Sequence, residues 1–276
     1  MPLPSSSSGT LPTDAQHAPP PAVTGTLQAA GHRLEYACLG ALDAARCAIV
    51  LLHEGLGCVA LWRDFPARLH AATGLPVVAY SRYGHGASDV LQAPREADFM
   101  HREATEALPE LLDTLGIARP LLVGHSDGAS IALIHAGRFA RRPAGVVAMA
   151  PHLFVEPVCT AAIAQAAARF AASDLPARLG RYHRDAARTF HGWAGVWLSE
   201  GFGRWSIEAE VAAVHCPILA IQGVEDEYGT MRQIERIAEL RPGAGLLRLE
   251  HCRHSPHLDQ PDRVLAAVAA FARPLG

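Results

Sequence analysis

The strongest constraint on the fold is an alternation. Short apolar runs at His32 to Leu39, Ala48 to His53, Pro76 to Tyr80, Pro120 to Val123, Val146 to Ala150, Ile218 to Gln222 and Leu246 to Leu249 are separated by longer stretches of helical period. Those stretches include Glu103 to Leu115, Ser130 to Arg141, Met231 to Leu240 and Pro261 to Phe271. Runs of Val, Ile, Leu and Ala with no polar face suit strands covered on both sides. Strand, helix, strand repetition predicts an α/β chain with a doubly wound, mostly parallel sheet. The chain has 276 residues, 50% of them hydrophobic, enough to bury such a core.

The alternation breaks in two places. Residues 1–24 are rich in Ser, Pro, Thr and Ala, with serines at Ser5 to Ser8 and prolines at Pro19 to Pro21. A segment with so little to bury is expected to be a disordered tail. Residues 153–213 carry a long Ala-rich helical pattern, then Phe190, Trp193, Trp197, Phe202 and Trp205. This reads as a helical lid insertion in a core formed by 25–152 and 214–276. Its aromatics either glue the insertion to the core or wall an apolar substrate pocket, and the two roles are compatible. Trp193, Trp197 and Tyr228 are the candidate substrate-binding residues.

Composition removes several chemistries. All 24 Lys and Arg residues are Arg, which excludes a Schiff-base lysine and a P-loop lysine. A net charge of -3 gives no reason to expect nucleic acid or an anionic membrane as partner. The 6 cysteines are scattered without a CxxC pair, as in a reducing compartment. With no signal-like start and no run of membrane-spanning length, a cytoplasmic soluble protein is expected. A small-molecule substrate is the expected partner, and a homodimer stays open.

Gly124-His125-Ser126-Asp127-Gly128 follows the apolar run Leu121 to Val123 and precedes a helical pattern. A serine on such a sharp turn is pushed out of the sheet, and glycines two positions either side leave room for the turn. The helix that starts there aims free N–H groups at any negative charge forming nearby. Serine alone is a weak nucleophile, so an acid and then a base should follow it in sequence. Asp226 lies in a loop after Ile218 to Gln222, and His254 lies in a loop after Leu246 to Leu249. In a parallel sheet both loops fall at the same edge as Ser126. Glu225 and Glu227 compete for the acid's place. His251 and His257 flank the base, yet Pro256 and the loop context argue against a metal site.

An oxyanion would need backbone donors beside the serine. Asp127 offers one; the loop His53-Glu54-Gly55-Leu56-Gly57 offers the other, at Gly55 or at Leu56.

Together these motifs resemble the α/β-hydrolase superfamily over roughly Arg33 to Arg273. The matching positions are His53-x-Gly55, Arg82-Tyr83-Gly84-His85-Gly86-x-Ser88, Gly124 to Gly128, Gly223-x-x-Asp226 and His254-x-Pro256-His257. The resemblance implies a triad of Ser126, Asp226 and His254, with Gly55 and Asp127 supplying the oxyanion hole and no cofactor. Glu54 departs from the pattern, which usually has Gly there. The branch most similar holds hydrolases of small esters, enol-lactones and aromatic ring-cleavage products. The expected reaction is cleavage of an ester or lactone through an acyl-serine. The alternatives are a C–C bond hydrolase and a triad-bearing receptor.

Overall fold

A computed structural model describes residues 22–140 and 142–275. Its strands are β1 (Val23–Ala29), β2 (His32–Leu39), β3 (Ala48–Leu52), β4 (Val77–Tyr80), β5 (Pro120–His125), β6 (Gly145–Met149), β7 (Ile218–Gly223) and β8 (Gly245–Leu249). The helices up to β6 are α1 (Phe65–Thr73), α2 (Phe99–Arg102), α3 (Leu108–Thr114) and α4 (Asp127–Arg138). Between β6 and β7 come α5 (Pro157–Arg169), α6 (Leu175–Leu179), α7 (Ala186–Trp197) and α8 (Glu208–Ala212). The chain ends through α9 (Arg232–Leu240), α10 (Pro256–Asp259) and α11 (Pro261–Ala272).

The sheet order is β1-β2-β4-β3-β5-β6-β7-β8. From β4 to β8 every pairing is parallel, whereas β1 with β2 and β2 with β4 are antiparallel. Side chains on the central strands alternate between two cores, as the period of a strand requires. Val50, Leu52, Leu122, Val146 and Ala148 face α2, α3 and α4. Ile49, Leu51, Leu121, Val123 and Val147 face α1 and α11. Burial on both faces explains why these strands read as unbroken apolar runs.

β1 corrects the sequence reading, which passed over it. Its residues Val-Thr-Gly-Thr-Leu-Gln-Ala are mostly solvent-facing at the sheet edge, and only Leu27 and Ala29 are buried. Ala30 and Gly31, both at positive φ, turn the chain back into β2. The expected tail boundary at 24 thus falls inside a strand, while residues 1–21 lie outside the described residues. Among the described residues no helix is long and apolar enough to cross a membrane.

The β6–β7 segment is helical, and its two ends meet. Phe154 forms an isolated bridge with Ser206, and Ile207 N–H donates to the Leu153 carbonyl at 2.8 Å. The Asp185 side chain caps α7 by accepting from Arg188 N–H. The helix then buries Phe190, Trp193, Ala194 and Trp197, spaced to form one stripe. Phe190 stacks on Phe170, and Phe202 sits between Trp197 and Trp205.

Candidate active site

Parallel strands deliver their following loops to one edge of the sheet, and the candidate residues gather there. β5 runs straight into α4 with Ser126 at the corner, at φ 54° and ψ -121°. A side chain rarely adopts that region, at a cost of roughly 1–3 kcal/mol. The corner is held by Ser126 N–H donating to the Met149 carbonyl at 2.9 Å, and by Ala129 N–H donating back to the Ser126 carbonyl at 2.9 Å. A Cβ on Gly124 would strike Gly128 and Ala129, and one on Gly128 would strike the Leu52 carbonyl. Both glycines are therefore fixed by close packing of strand against helix.

His254 Nε2 lies 2.9 Å from Ser126 Oγ, and its Nδ1 lies 2.8 and 2.9 Å from the two oxygens of Asp226. Asp226 is itself held by the N–H groups of Tyr228 and Gly229 and by Gln222 Nε2 at 2.7 Å. Burial pushes its carboxyl up. The hydrogen bond and charge of His254, with the Tyr228 N–H, outweigh burial and hold it below the usual range. A hydroxyl, an imidazole and an ionised carboxylate stand in line. Such a line can draw a proton from the hydroxyl and stabilise the resulting imidazolium.

The competing residues face elsewhere. Glu225 meets exposed His251 at 3.3 Å. Glu227 accepts from Arg253 Nη2 at 3.0 Å and from the backbone of His254. His257 is buried against Trp62, Phe65 and His125. Among the described residues no group of three or more His, Cys, Asp or Glu is placed to hold a metal ion.

Among the described residues, the N–H groups of Gly55, Leu56 and Asp127 donate to no protein acceptor, and all three residues line the cavity at Ser126. A Cβ on Gly55 would strike Trp193, so the indole packs directly on this loop. Glu54 turns its carboxylate toward His125, 3.6 Å away. Burial pushes that carboxyl up, yet His125 and His53 hold it well below the usual range. The Asp127 carboxyl is buried, accepts from Trp197 Nε1 at 3.2 Å and lies 3.9 Å from buried Arg82. Burial raises it above the ordinary carboxylate value.

The cavity holds about 200 Å³, and Trp193, Trp197 and Tyr228 all line it. Phe190, Phe202 and Trp205 do not; they bind the helical segment to the core. Trp193 and Trp197 belong to the same packed cluster and line the cavity as well. A second cavity of about 210 Å³, under residues 91–98, contains none of the candidate catalytic groups.

Sequence reasoning missed His152, Cys159 and Ile163, which also line the site. His152 Nε2 lies 3.4 Å from Ser126 Oγ, and the ring stands edge-on to Trp197. Burial, reinforced by the nearby His254 charge, lowers its pKa to about 3 and keeps it neutral. Its place directly after β6, at the loaded edge of the sheet, was the available signal. Cys159 and Ile163 carried none, because nothing in a helical pattern says which sheet edge it will cover.

The alpha/beta hydrolase family model matches residues 49–267. A putative carbamate hydrolase, RutD, of Pseudomonas savastanoi pv. phaseolicola is 26% identical over 242 residues, covering 77% of this chain and 89% of that protein. Among solved structures, the enol-lactonase from Burkholderia xenovorans LB400 has a TM-score of 0.72 at 20% identity, covering 90% of this chain and 99% of that one. A hydrolase from Pseudomonas aeruginosa has a TM-score of 0.70 at 23% identity, covering 94% and 99%.

Proposed function

Because this chain belongs to the alpha/beta hydrolase family, we propose that it is a serine hydrolase of small carboxylic esters or lactones, working through an acyl-serine. The observation that carries this reading is the 2.9 Å contact of His254 with Ser126 Oγ, backed by the 2.8 Å contact with Asp226. Ser126 Oγ attacks the substrate carbonyl while His254 Nε2 takes its proton. The oxyanion accepts from the N–H of Asp127 and from the N–H of Gly55, with that of Leu56 adjacent. His254 returns the proton to the departing oxygen as the C–O bond breaks. It then takes a proton from water, whose oxygen attacks the acyl carbon and frees the acid and Ser126. No cofactor enters these steps.

The lining supports an uncharged, compact acyl group. Trp193, Trp197 and Ile163 supply apolar surface, Glu54 and Asp127 are the acidic members, and among the described residues no arginine lines the cavity. An anionic substrate would meet no fixed cation there. The cysteines are all unbonded, in keeping with a cytoplasmic setting.

The test is hydrolysis of short-chain p-nitrophenyl esters and lactones by wild type and Ser126→Ala, with a fluorophosphonate probe of Ser126 alongside. Turnover that the mutation abolishes is the expected result. Wild type that is neither labelled nor active overturns the reading; labelling without turnover points to a C–C bond hydrolase or a receptor.

A further inference from the structure

The loop after β3 turns every one of three consecutive carbonyls onto an imidazole. His53 Nδ1 lies 2.7 Å from the Glu54 carbonyl, His85 Nε2 3.0 Å from that of Gly55, and His183 Nε2 2.9 Å from that of Leu56. The opposite ring nitrogens fix the tautomers. His53 Nε2 accepts from Arg82 N–H at 3.0 Å, and His183 Nδ1 accepts from Gly86 N–H at 2.9 Å. His85 Nδ1 lies 3.3 Å from Arg95 Nη2, a donor, and 3.2 Å from the Tyr83 carbonyl, which itself accepts from Arg95 Nη2 at 2.6 Å. The loop-facing nitrogens of His53 and His183 therefore carry the proton and donate it; at His85 the shorter carbonyl contact is that of Nε2 with the loop, with the Arg95 donor at Nδ1, and Nε2 is taken as the donor there. All three rings are buried, and burial lowers the pKa of each.

A planar trans peptide points its N–H opposite to its C=O. Pulling the Glu54 carbonyl toward His53 sends the Gly55 N–H the other way. Pulling the Gly55 carbonyl toward His85 does the same for the Leu56 N–H. These two N–H groups belong to residues that line the cavity, and among the described residues they donate to no protein acceptor. The third imidazole comes from outside the sheet. His183 lies between α6 and α7, and Arg184 N–H beside it donates to the Gly86 carbonyl at 3.1 Å.

We infer that His85 and His183 are positioning residues for acyl transfer: His85 holds the Gly55–Leu56 peptide so that the Leu56 N–H meets the oxyanion beside that of Gly55, and His183, on the next carbonyl, ties the loop to the β6–β7 segment. The inference rests on the acyl-serine reading above. It differs from a packing role in what it demands of each ring, namely an N–H donor at the Nε2 position.

Asn and Gln separate the two roles. Gln places an amide N–H near the Nε2 position, whereas Asn places its amide nearer Nδ1 and loses the bond to the loop. We would compare His85→Asn, His85→Gln, His183→Asn and His183→Gln with wild type, by ester kinetics and by the rate of fluorophosphonate attack at Ser126. In that attack the phosphoryl oxygen takes the oxyanion's place as fluoride leaves. The Asn variants should lose about 100-fold at His85 and about tenfold at His183 in kcat and in labelling rate. KM should stay within about threefold, and the Gln variants within about threefold of wild type on every measure. Equal losses for Asn and Gln, or losses confined to KM, overturn the clamp. A wild type that is not labelled overturns the acyl-serine reading and the clamp with it, and that outcome is distinct because it appears before any variant is made.

Discussion

The floor and the roof of the cavity are built by opposite means. The floor is backbone geometry: Ser126, Asp226 and His254 sit on turns at strand ends, fixed by main-chain hydrogen bonds and by glycines no other residue can replace. The roof is side-chain packing: Trp193, Trp197, Cys159 and Ile163 reach in from α5 and α7 and are held by neighbouring apolar groups. Chemistry needs atoms placed within fractions of an ångström, and turns locked into a sheet deliver that. Selection among acyl groups needs shape, and packed helices tolerate changes of shape.

The largest effect should come from the floor. Ser126→Ala should lower kcat by about 10⁶ while leaving the fold's circular dichroism unchanged. Retention of even a hundredth of the rate would move the nucleophile elsewhere. Next, Asp226→Asn should cost about 10⁴ in kcat, because an amide cannot hold the imidazole tautomer. Glu227→Gln, one position along, should stay within about twofold; comparable losses from both would break the assignment of the acid.

Acid should act through histidines buried beneath and around the site. Burial sets His135 at about 4, and His152 and His257 at about 3, all below the ordinary histidine value. A histidine whose folded pKa is depressed binds its proton in the unfolded chain first. Its stability contribution is complete above the unfolded value near 6.5 and is lost as pH falls toward the folded one. Three such rings should together remove several kcal/mol between about pH 6.5 and 4. Thermal melts across that range would show it, and a flat Tm would refute it.

The smallest effect belongs to the roof. Trp193→Ala should raise KM for short esters by about tenfold, leave kcat within about threefold and shift preference to longer acyl chains. A kcat loss beyond about 100-fold would mean that the roof takes part in the chemistry.

The same division explains what could be read from the chain. Floor residues announce themselves because a tight turn demands glycine at stated positions and because strands buried on both faces leave plain apolar runs. That made Gly124 to Gly128 and the loops that carry Asp226 and His254 legible. β1 was not, since an exposed edge strand containing Thr, Gly and Gln has no apolar signature. The direction of the Gly55 and Leu56 N–H groups was also closed to inspection, because the Glu54 and Gly55 carbonyls are held by Arg82 and His85, far away in sequence. The choice among Glu225, Asp226 and Glu227 needed side-chain directions that adjacent loop residues do not encode.

The meeting of Leu153 with Ile207 has an evolutionary consequence. A stretch of chain whose two ends already touch is a cassette: it can be lengthened, trimmed or exchanged between lineages without prying apart the strands that flank it. Substrate range can then drift while the reaction itself is conserved. The Leu56 carbonyl is where such an exchange would be felt, since the present cassette places His183 on it.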